Sequence, residues 1–386
     1  MSIFDLVVIG LGAHGSAVAA HAAASGLSVC GVDEGAPPHD RGSHHGESRI
    51  IRQAYFEGPP YVPLLLRAYD LWDALQADVG ESLFSRTGGL MVGRSDGDLV
   101  SGALHSARLH GLAHEALAPR ELTRRFPAFR PGEGMAAVFE PQAGLLRPEA
   151  CVRAHLRRAE AAGAVLRTHC RASLERCGDG AADVRVQTAE GETSLIRARR
   201  VAVCAGAGLS TLGLPLSHAV QVERQVVAHF APRSPAEGPL LTRLPVFLIE
   251  EDDGRLHYGF PDLGAGVKVG RHHDGVIVTP GSDIDAVVHA DDIDGLRRFL
   301  AERLPSATGE LRAAVACRYT NTPDQHFVID RIAPQLVVVS ACSGHGFKFA
   351  SVIGEIVSRL VRDEDPGFDL RLFEAARLAA THGRPV

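Results

Sequence analysis

The sequence predicts an α/β (α+β) fold in two interleaved domains, and three observations carry that prediction. A chain of 386 residues exceeds what one hydrophobic core organises. It opens as strand, glycine turn, helix and strand, with an acidic residue at the tip of the second strand. The same strand-and-helix texture returns only far downstream, separated by proline-richer stretches of broken alternation at 86–144 and 219–316.

The elements follow in order. DLVVIG, residues 5–10, is a continuous apolar run, as expected of a parallel strand covered on both faces. AHGSAVAAHAAASG, 13–26, predicts an alanine-rich helix closed by Gly26. LSVCGVD, 27–33, is the second strand, and GAPP ends the regular structure. Gly10, Gly12 and Gly15 set the spacing G-x-G-x-x-G, which permits a tight turn and brings backbone N–H groups close to a pyrophosphate. Asp33 stands 18 residues after Gly15, where a carboxylate can hydrogen-bond a ribose hydroxyl. The pattern marks a dinucleotide site that suits FAD and NAD alike.

Further on, RPEACVRAHLRRAEAAG (147–163) predicts a helix with Pro148 in its first turn. AVLRTHC and VRVQTAEGETSLIRA predict strands, the latter a hairpin about Glu190-Gly191. RRVAVCAGAG (199–208) predicts another buried strand, and QLVVVSAC leads through SGHGFKF into the helical pattern SVIGEIVSRLV. A Rossmann-type nucleotide layer is thus expected over 1–85, 145–218 and 317–375. An inserted mixed-sheet substrate domain is expected over 86–144 and 219–316, with a tail at 376–386.

Composition narrows the function. A formal charge of −6 argues against nucleic acid or an anionic membrane surface as partner. No apolar run approaches the roughly 20 residues needed to span a bilayer. The N-terminus enters a strand directly, without a leader pattern. The seven cysteines are scattered, without metal-type pair spacing, and read as reduced thiols in a cytoplasmic protein that binds no metal.

Three segments carry candidate chemistry. GSHHGESRIIRQAYFEG (42–58) gathers His44, His45, Arg49 and Arg52, followed by Tyr55. On a helix Arg49 and Arg52 would share a face and could clamp a carboxylate or phosphate. CRYTNTPDQHFVID begins with Cys317 in an arginine-rich stretch, where cationic neighbours would lower a thiol pKa. The chain holds only two lysines against 38 arginines: Lys268 in GVKVG and Lys348 in SGHGFKF. A sequence so committed to arginine keeps lysine where a guanidinium will not serve.

Taken together, GLGAHG, GSHHGESRIIRQAYFEG, YGFP, GVKVG, CRYTNTPDQHFVID and SGHGFKF resemble the monomeric sarcosine oxidase and N-methyltryptophan oxidase family of amine-oxidising flavoproteins. The resemblance covers nearly the whole length. It implies FAD, joined by a thioether from Cys317 to the 8α-methyl of the isoalloxazine ring. It places Ser43, His44, His45, Ser48 and Arg49 along the flavin, with Gly344, Gly346, Phe347 and Lys348 among the cofactor-binding residues. Arg52 and Lys348 would hold the carboxylate of an N-methyl amino acid. Tyr258, Tyr319 and Leu248 would wall the pocket. His272, His45, Tyr258, Arg49 and Lys268 would serve the chemistry. Lys268 would sit over the flavin through a water, a compact cation where dioxygen is reduced to hydrogen peroxide.

With sarcosine the implied products are glycine and formaldehyde, and the family expectation is a monomer. Arg318 and Leu248 depart from the family pattern, so N-methyltryptophan and cyclic imino acids such as pipecolate or proline are also compatible substrates. A dehydrogenase passing electrons to another acceptor would make Lys268 incidental. A non-catalytic flavin module would need no carboxylate clamp. An NAD enzyme would explain only the first 35 residues.

Overall fold

A computed structural model describes residues 3–178 and 180–378. The first strand, β1 (Phe4–Ile9), pairs in parallel with β2 (Val29–Val32) on one side and with the strand Thr193–Val203 on the other. Val165–Arg167 extends the sheet beyond β2, and Leu336–Ser340 extends it beyond Thr193–Val203. Successive β1 side chains enter two cores. Leu6 and Val8 pack toward the helices, and Val7 and Ile9 toward an antiparallel meander, which explains the unbroken apolar run.

That meander comprises Cys170–Gly178, Ala181–Thr188 and the first half of Thr193–Val203. The hairpin about Glu190-Gly191 forms as expected, with Gly191 at φ +90°. Its second arm and the strand read at 199–208 prove to be one element, shared between the meander and the parallel sheet.

The first helix, α1 (Ala13–Ala24), is alanine-rich because other helices approach it closely. A Cβ on Gly354 of the last helix, Ala350–Leu360, would stand 2.7 Å from the Ala17 backbone. Residues 62–79, not assigned above, form a second helix, α2 (Val62–Val79). It buries Leu64, Leu65, Ala68, Tyr69, Trp72 and Leu75 at helical spacing.

A mixed nine-stranded sheet lies beside this layer. Its strands include Gly89–Arg94, Gln221–Phe230, Val246–Glu250, Leu256–Phe260, Val267–His272 and Leu311–Asn321. Leu90, Val92, Phe230, Phe247 and Val269 fill one face, covered by Phe299 and Leu300 of the helix Ala290–Arg303. The strand Leu311–Asn321 crosses the boundary expected at 317, so Cys317 stands in this sheet, opposite Gln225.

The segment expected as a possible helix at Arg49 and Arg52 is instead a short strand, β3 (Arg49–Ile51), paired with Gly144–Leu146. Two β-branched isoleucines and an available partner strand outweigh a helical spacing of two charges. No helix among the described residues is long and apolar enough to cross a membrane. Of the expected tail, 379–386 lies outside the described residues, while Ala375–Leu378 forms a 3₁₀ turn.

Candidate active site

A cavity of about 710 Å3 is lined from both sheets. The first βαβ unit contributes Gly10, Gly12 and Asp33. Gly10 adopts φ +88°, and a Cβ there would stand 2.6 Å from the Cys204 carbonyl oxygen. A Cβ on Gly15 would stand 1.8 Å from the Gly10 oxygen, so the turn is closed to any other residue. Gly12 caps α1 without a side-chain hydrogen bond, which leaves first-turn N–H groups available. Asp33 accepts from the N–H groups of Leu11 at 2.7 Å and Gly35 at 2.8 Å, and pairs with His39 Nε2 at 3.0 Å. Burial opposes its ionisation, but these three partners hold the carboxyl below its ordinary value. An ionised carboxylate has about four acceptor sites, so one remains for a ribose hydroxyl.

The loop 42–48 supplies Ser43, His44, His45 and Ser48 to the cavity wall. Arg49 organises it from within, donating to the carbonyl oxygens of Ser43 at 2.9 Å, His45 at 2.7 Å and Ser48 at 2.8 Å. Glu149 holds the same loop from outside, accepting from the N–H of Gly46 at 2.7 Å and of Glu47 at 3.1 Å. Burial brings His44 down to about 3 and His45 down to about 4, so both imidazoles are neutral. His45 Nε2 is buried without a partner among the described residues.

Arg49 and Arg52 do not form one clamp. They sit three residues apart about a strand, and Arg52 turns instead to Glu57, donating to both carboxylate oxygens at 2.6 Å. Arg52 does share the cavity with Lys348. Lys348 Nζ donates to the His345 carbonyl oxygen at 2.6 Å and lies 3.4 Å from the Tyr55 hydroxyl. Burial, then the charge of Arg52, brings Lys348 down to about 7.

Tyr258, His272, Tyr319 and Leu248 line the cavity from the nine-stranded sheet. His272 Nδ1 stands 3.3 Å from the Tyr319 hydroxyl, and burial keeps the imidazole neutral. Gly344, at φ +73°, passes so close that a Cβ would meet His272 at 2.5 Å and Tyr319 at 2.7 Å. Phe347 also lines the cavity. Gly346 does not, and shapes the turn behind it, where a Cβ would overlap the Ala341 carbonyl oxygen.

Lys268 lies behind the cavity-lining residues, 2% exposed. Its ammonium donates to the carbonyl oxygens of Gly46 and Ser48 and to Ser48 Oγ, and stands 4.8 Å from the Phe260 ring centroid. Burial, then Arg49, brings it down to about 7. Cys317 is a buried free thiol on the cavity wall. Its pKa is raised, not lowered as expected: burial outweighs the pull of Arg49, Lys268 and Arg224. Tyr55, Glu57 and His345 were not read as site residues. Their signal was their place inside GSHHGESRIIRQAYFEG and SGHGFKF.

The fold and the glycine turn define a dinucleotide-binding oxidoreductase, and the family model for FAD dependent oxidoreductases matches residues 5–360. The chain belongs to that family. It is 41% identical to a monomeric sarcosine oxidase of Streptomyces avermitilis, over 98% of each chain. It is 36% identical to an N-methyl-L-tryptophan oxidase of Yersinia pestis, over 97% of this chain and 99% of that one. Among solved structures, the amino acid oxidase NikD superposes with a TM-score of 0.82 at 23% identity, covering 97% of this chain and 98% of its own. Glycine oxidase from Geobacillus kaustophilus superposes with a TM-score of 0.78 at 19% identity, over 98% of this chain and 99% of that one.

The residues present fit FAD. The uncapped first turn of α1 would take the pyrophosphate and the free acceptor of Asp33 the ribose, while His45 and Cys317 line the same cavity.

Proposed function

We propose that this enzyme oxidises secondary amino acids, N-methyl amino acids such as sarcosine first among them, with dioxygen as electron acceptor. The observation that carries the reading is the pair of buried cations, Arg52 and Lys348, facing the same cavity as Cys317. Glu57 already places a carboxylate on Arg52, both of its oxygens accepting from the one nitrogen Nη2, so that position suits a substrate carboxylate that takes its place. The names of the Streptomyces and Yersinia relatives point to the same substrates.

FAD, when bound, would supply the two-electron acceptor for the hydride equivalent of the substrate C–H bond, and dioxygen, taking those two electrons and two protons, would become hydrogen peroxide. The chain's own residues do the rest. Arg52 and Lys348 fix the carboxylate and so aim the N-methyl group, a proximity effect. Their charges also lower the pKa of the substrate amine, favouring the unprotonated nitrogen that can form an imine. Tyr258, Tyr319, Leu248 and neutral His272 wall the site without adding charge. Water then adds to the imine, and sarcosine yields glycine and formaldehyde. Arg49 on the cavity wall and Lys268 behind the 42–48 loop place positive charge there, where it would favour electron transfer to dioxygen.

The parallel sheet would hold the cofactor and the nine-stranded sheet the substrate. Attachment of FAD through Cys317 completes the proposal. The buried thiol needs a cation to ionise, and Arg49 and Lys268 both favour its thiolate. Seven free thiols support a reducing, cytoplasmic setting, and the Streptomyces relative's name supports a monomer.

A panel of sarcosine, N-methyltryptophan, pipecolate, proline and glycine, read as peroxide release, tests the reading. Turnover of an N-methyl amino acid well above glycine supports it. Reduction of the flavin by substrate without peroxide release would replace it with a dehydrogenase. N-methyltryptophan oxidation is the second reading, and the same panel separates the two.

A further inference from the structure

Tyr55 touches both cations of the proposed carboxylate site. Arg52 Cζ lies 4.3 Å over its ring, and Lys348 Nζ lies 3.4 Å from its hydroxyl oxygen. The residue is fully buried, its ring edge-on to Phe349. Its hydroxyl also stands 2.6 Å from His345 Nδ1 and 3.4 Å from the His345 carbonyl oxygen.

The direction of these bonds follows from the far side of the imidazole. His345 Nε2 lies 3.1 Å from the Gln325 carbonyl oxygen, which can only accept, so Nε2 carries the proton. Burial keeps His345 neutral, which leaves Nδ1 as a lone-pair acceptor. The single Tyr55 proton therefore goes to Nδ1, the nearer acceptor. The Tyr55 oxygen is left with lone pairs only, and the donor available to it is the Lys348 ammonium. With the His345 carbonyl also taking a proton of Lys348, two of the three ammonium donors are fixed and one is left for the cavity.

We infer that Tyr55, oriented by His345, is the positioning residue that keeps Arg52 and Lys348 together as one carboxylate-binding pair and offers Lys348 an acceptor that favours its ammonium form. A tyrosine hydroxyl locked as an acceptor stabilises the ammonium against the free amine. A hydroxyl free to rotate would not do so consistently. The groups that face Lys348 are Arg52 and Glu57 from the segment after β3, His345 from its own turn, and His272 from the nine-stranded sheet. Of these, Arg52 opposes its protonation and Glu57 favours it, and in the proposed function a substrate carboxylate would take the place of Glu57 on Arg52. With Glu57 so displaced, the groups of the chain that favour the charged form are the Tyr55 hydroxyl, the His345 carbonyl and the Phe349 ring, whose centroid lies 5.6 Å from Nζ.

This inference rests on the carboxylate-site reading, and one experiment separates the two. Acetate binding to the holoenzyme is followed as a change in flavin absorbance from about pH 6 to about pH 9, in the wild type and in Tyr55→Phe. Wild-type binding should be full at low pH and weaken as pH rises through the Lys348 pKa. Tyr55→Phe keeps the ring under Arg52 and loses the oxygen. It should weaken binding about tenfold at neutral pH. It should also move the pH midpoint down by about one unit. His345→Gln, which loosens the tyrosine proton without emptying the site, should move the midpoint the same way by less, and it carries the test if Tyr55→Phe does not fold. In turnover the loss should fall on KM, with kcat nearly kept. An unchanged midpoint in both variants overturns the role of Tyr55 and leaves the clamp standing. Failure of the wild type to bind acetate at any pH overturns the clamp itself.

Discussion

Lys268 is charged below about pH 7 and increasingly neutral above it, because burial and Arg49 both oppose the ammonium. If it supplies charge to dioxygen reduction, reoxidation of reduced flavin should slow as pH rises through about 7. Lys268→Met should slow reoxidation on the order of a hundredfold, with flavin reduction by substrate changed far less. Stopped-flow measurement of the two half-reactions decides it, and equal slowing of both would remove the assignment. The shape of the site explains why the residue is lysine. Two carbonyl oxygens, one hydroxyl and a phenyl face surround a single nitrogen, and a planar guanidinium has no such tripod to offer. Cys317 makes a sharper prediction. Acid-precipitated wild type should keep its flavin in the washed pellet, and Cys317→Ser should release it to the supernatant. Flavin released from both would end the covalent assignment.

At the scale of elements, the site depends on backbones that approach without side chains between them. The turn before the last helix brings Gly344 against His272 and Tyr319 from the other sheet. Gly344→Ala combines a left-handed backbone with two ring clashes, so it should displace the pocket wall and raise KM at least tenfold, on the order of 1.4 kcal/mol. Gly354 is a different case, since it lies in the packing of the last helix on α1, away from the cavity-lining residues. Gly354→Ala should lower stability by about 1–3 kcal/mol, read as thermal unfolding, with KM unchanged where the protein remains folded.

For the whole molecule, one cavity drawing residues from both sheets ties cofactor binding to stability. FAD binds the folded state, so its removal should lower Tm, and free FAD at 100 times its Kd should restore about 2.7 kcal/mol. The apo chain also has a pH dependence of definite sign. Lys268 and Lys348 are held near 7 when folded, against an ordinary 10.5 when unfolded. Between these values the unfolded chain binds more protons, so stability should rise as pH increases from about 7 toward 9. The buried tyrosines and cysteines, whose pKa values are raised, reverse the trend at higher pH. Urea denaturation of the apo chain at two pH values tests this, and Lys348→Met should flatten the rise.

The first βαβ unit, its glycine turn, the acid at Asp33 and the family were legible in the sequence because each depends on local spacing. Strand periodicity, φ-permissive glycine and helix propensity act over a few residues, and short motifs keep their meaning wherever they fold. The arrangement of the cations was not legible. Arg49 and Arg52 looked like partners at helical spacing, but β3 sends one into the 42–48 loop and the other to Glu57. Cys317 looked like an activated thiol because arginines surround it in the sequence, yet desolvation, which only folding imposes, outweighs them. Tyr55 and His345, 290 residues apart, meet at 2.6 Å. Such contacts are set by how two sheets and a final helix pack, so burial, charge state and hydrogen-bond direction were decided by the tertiary structure.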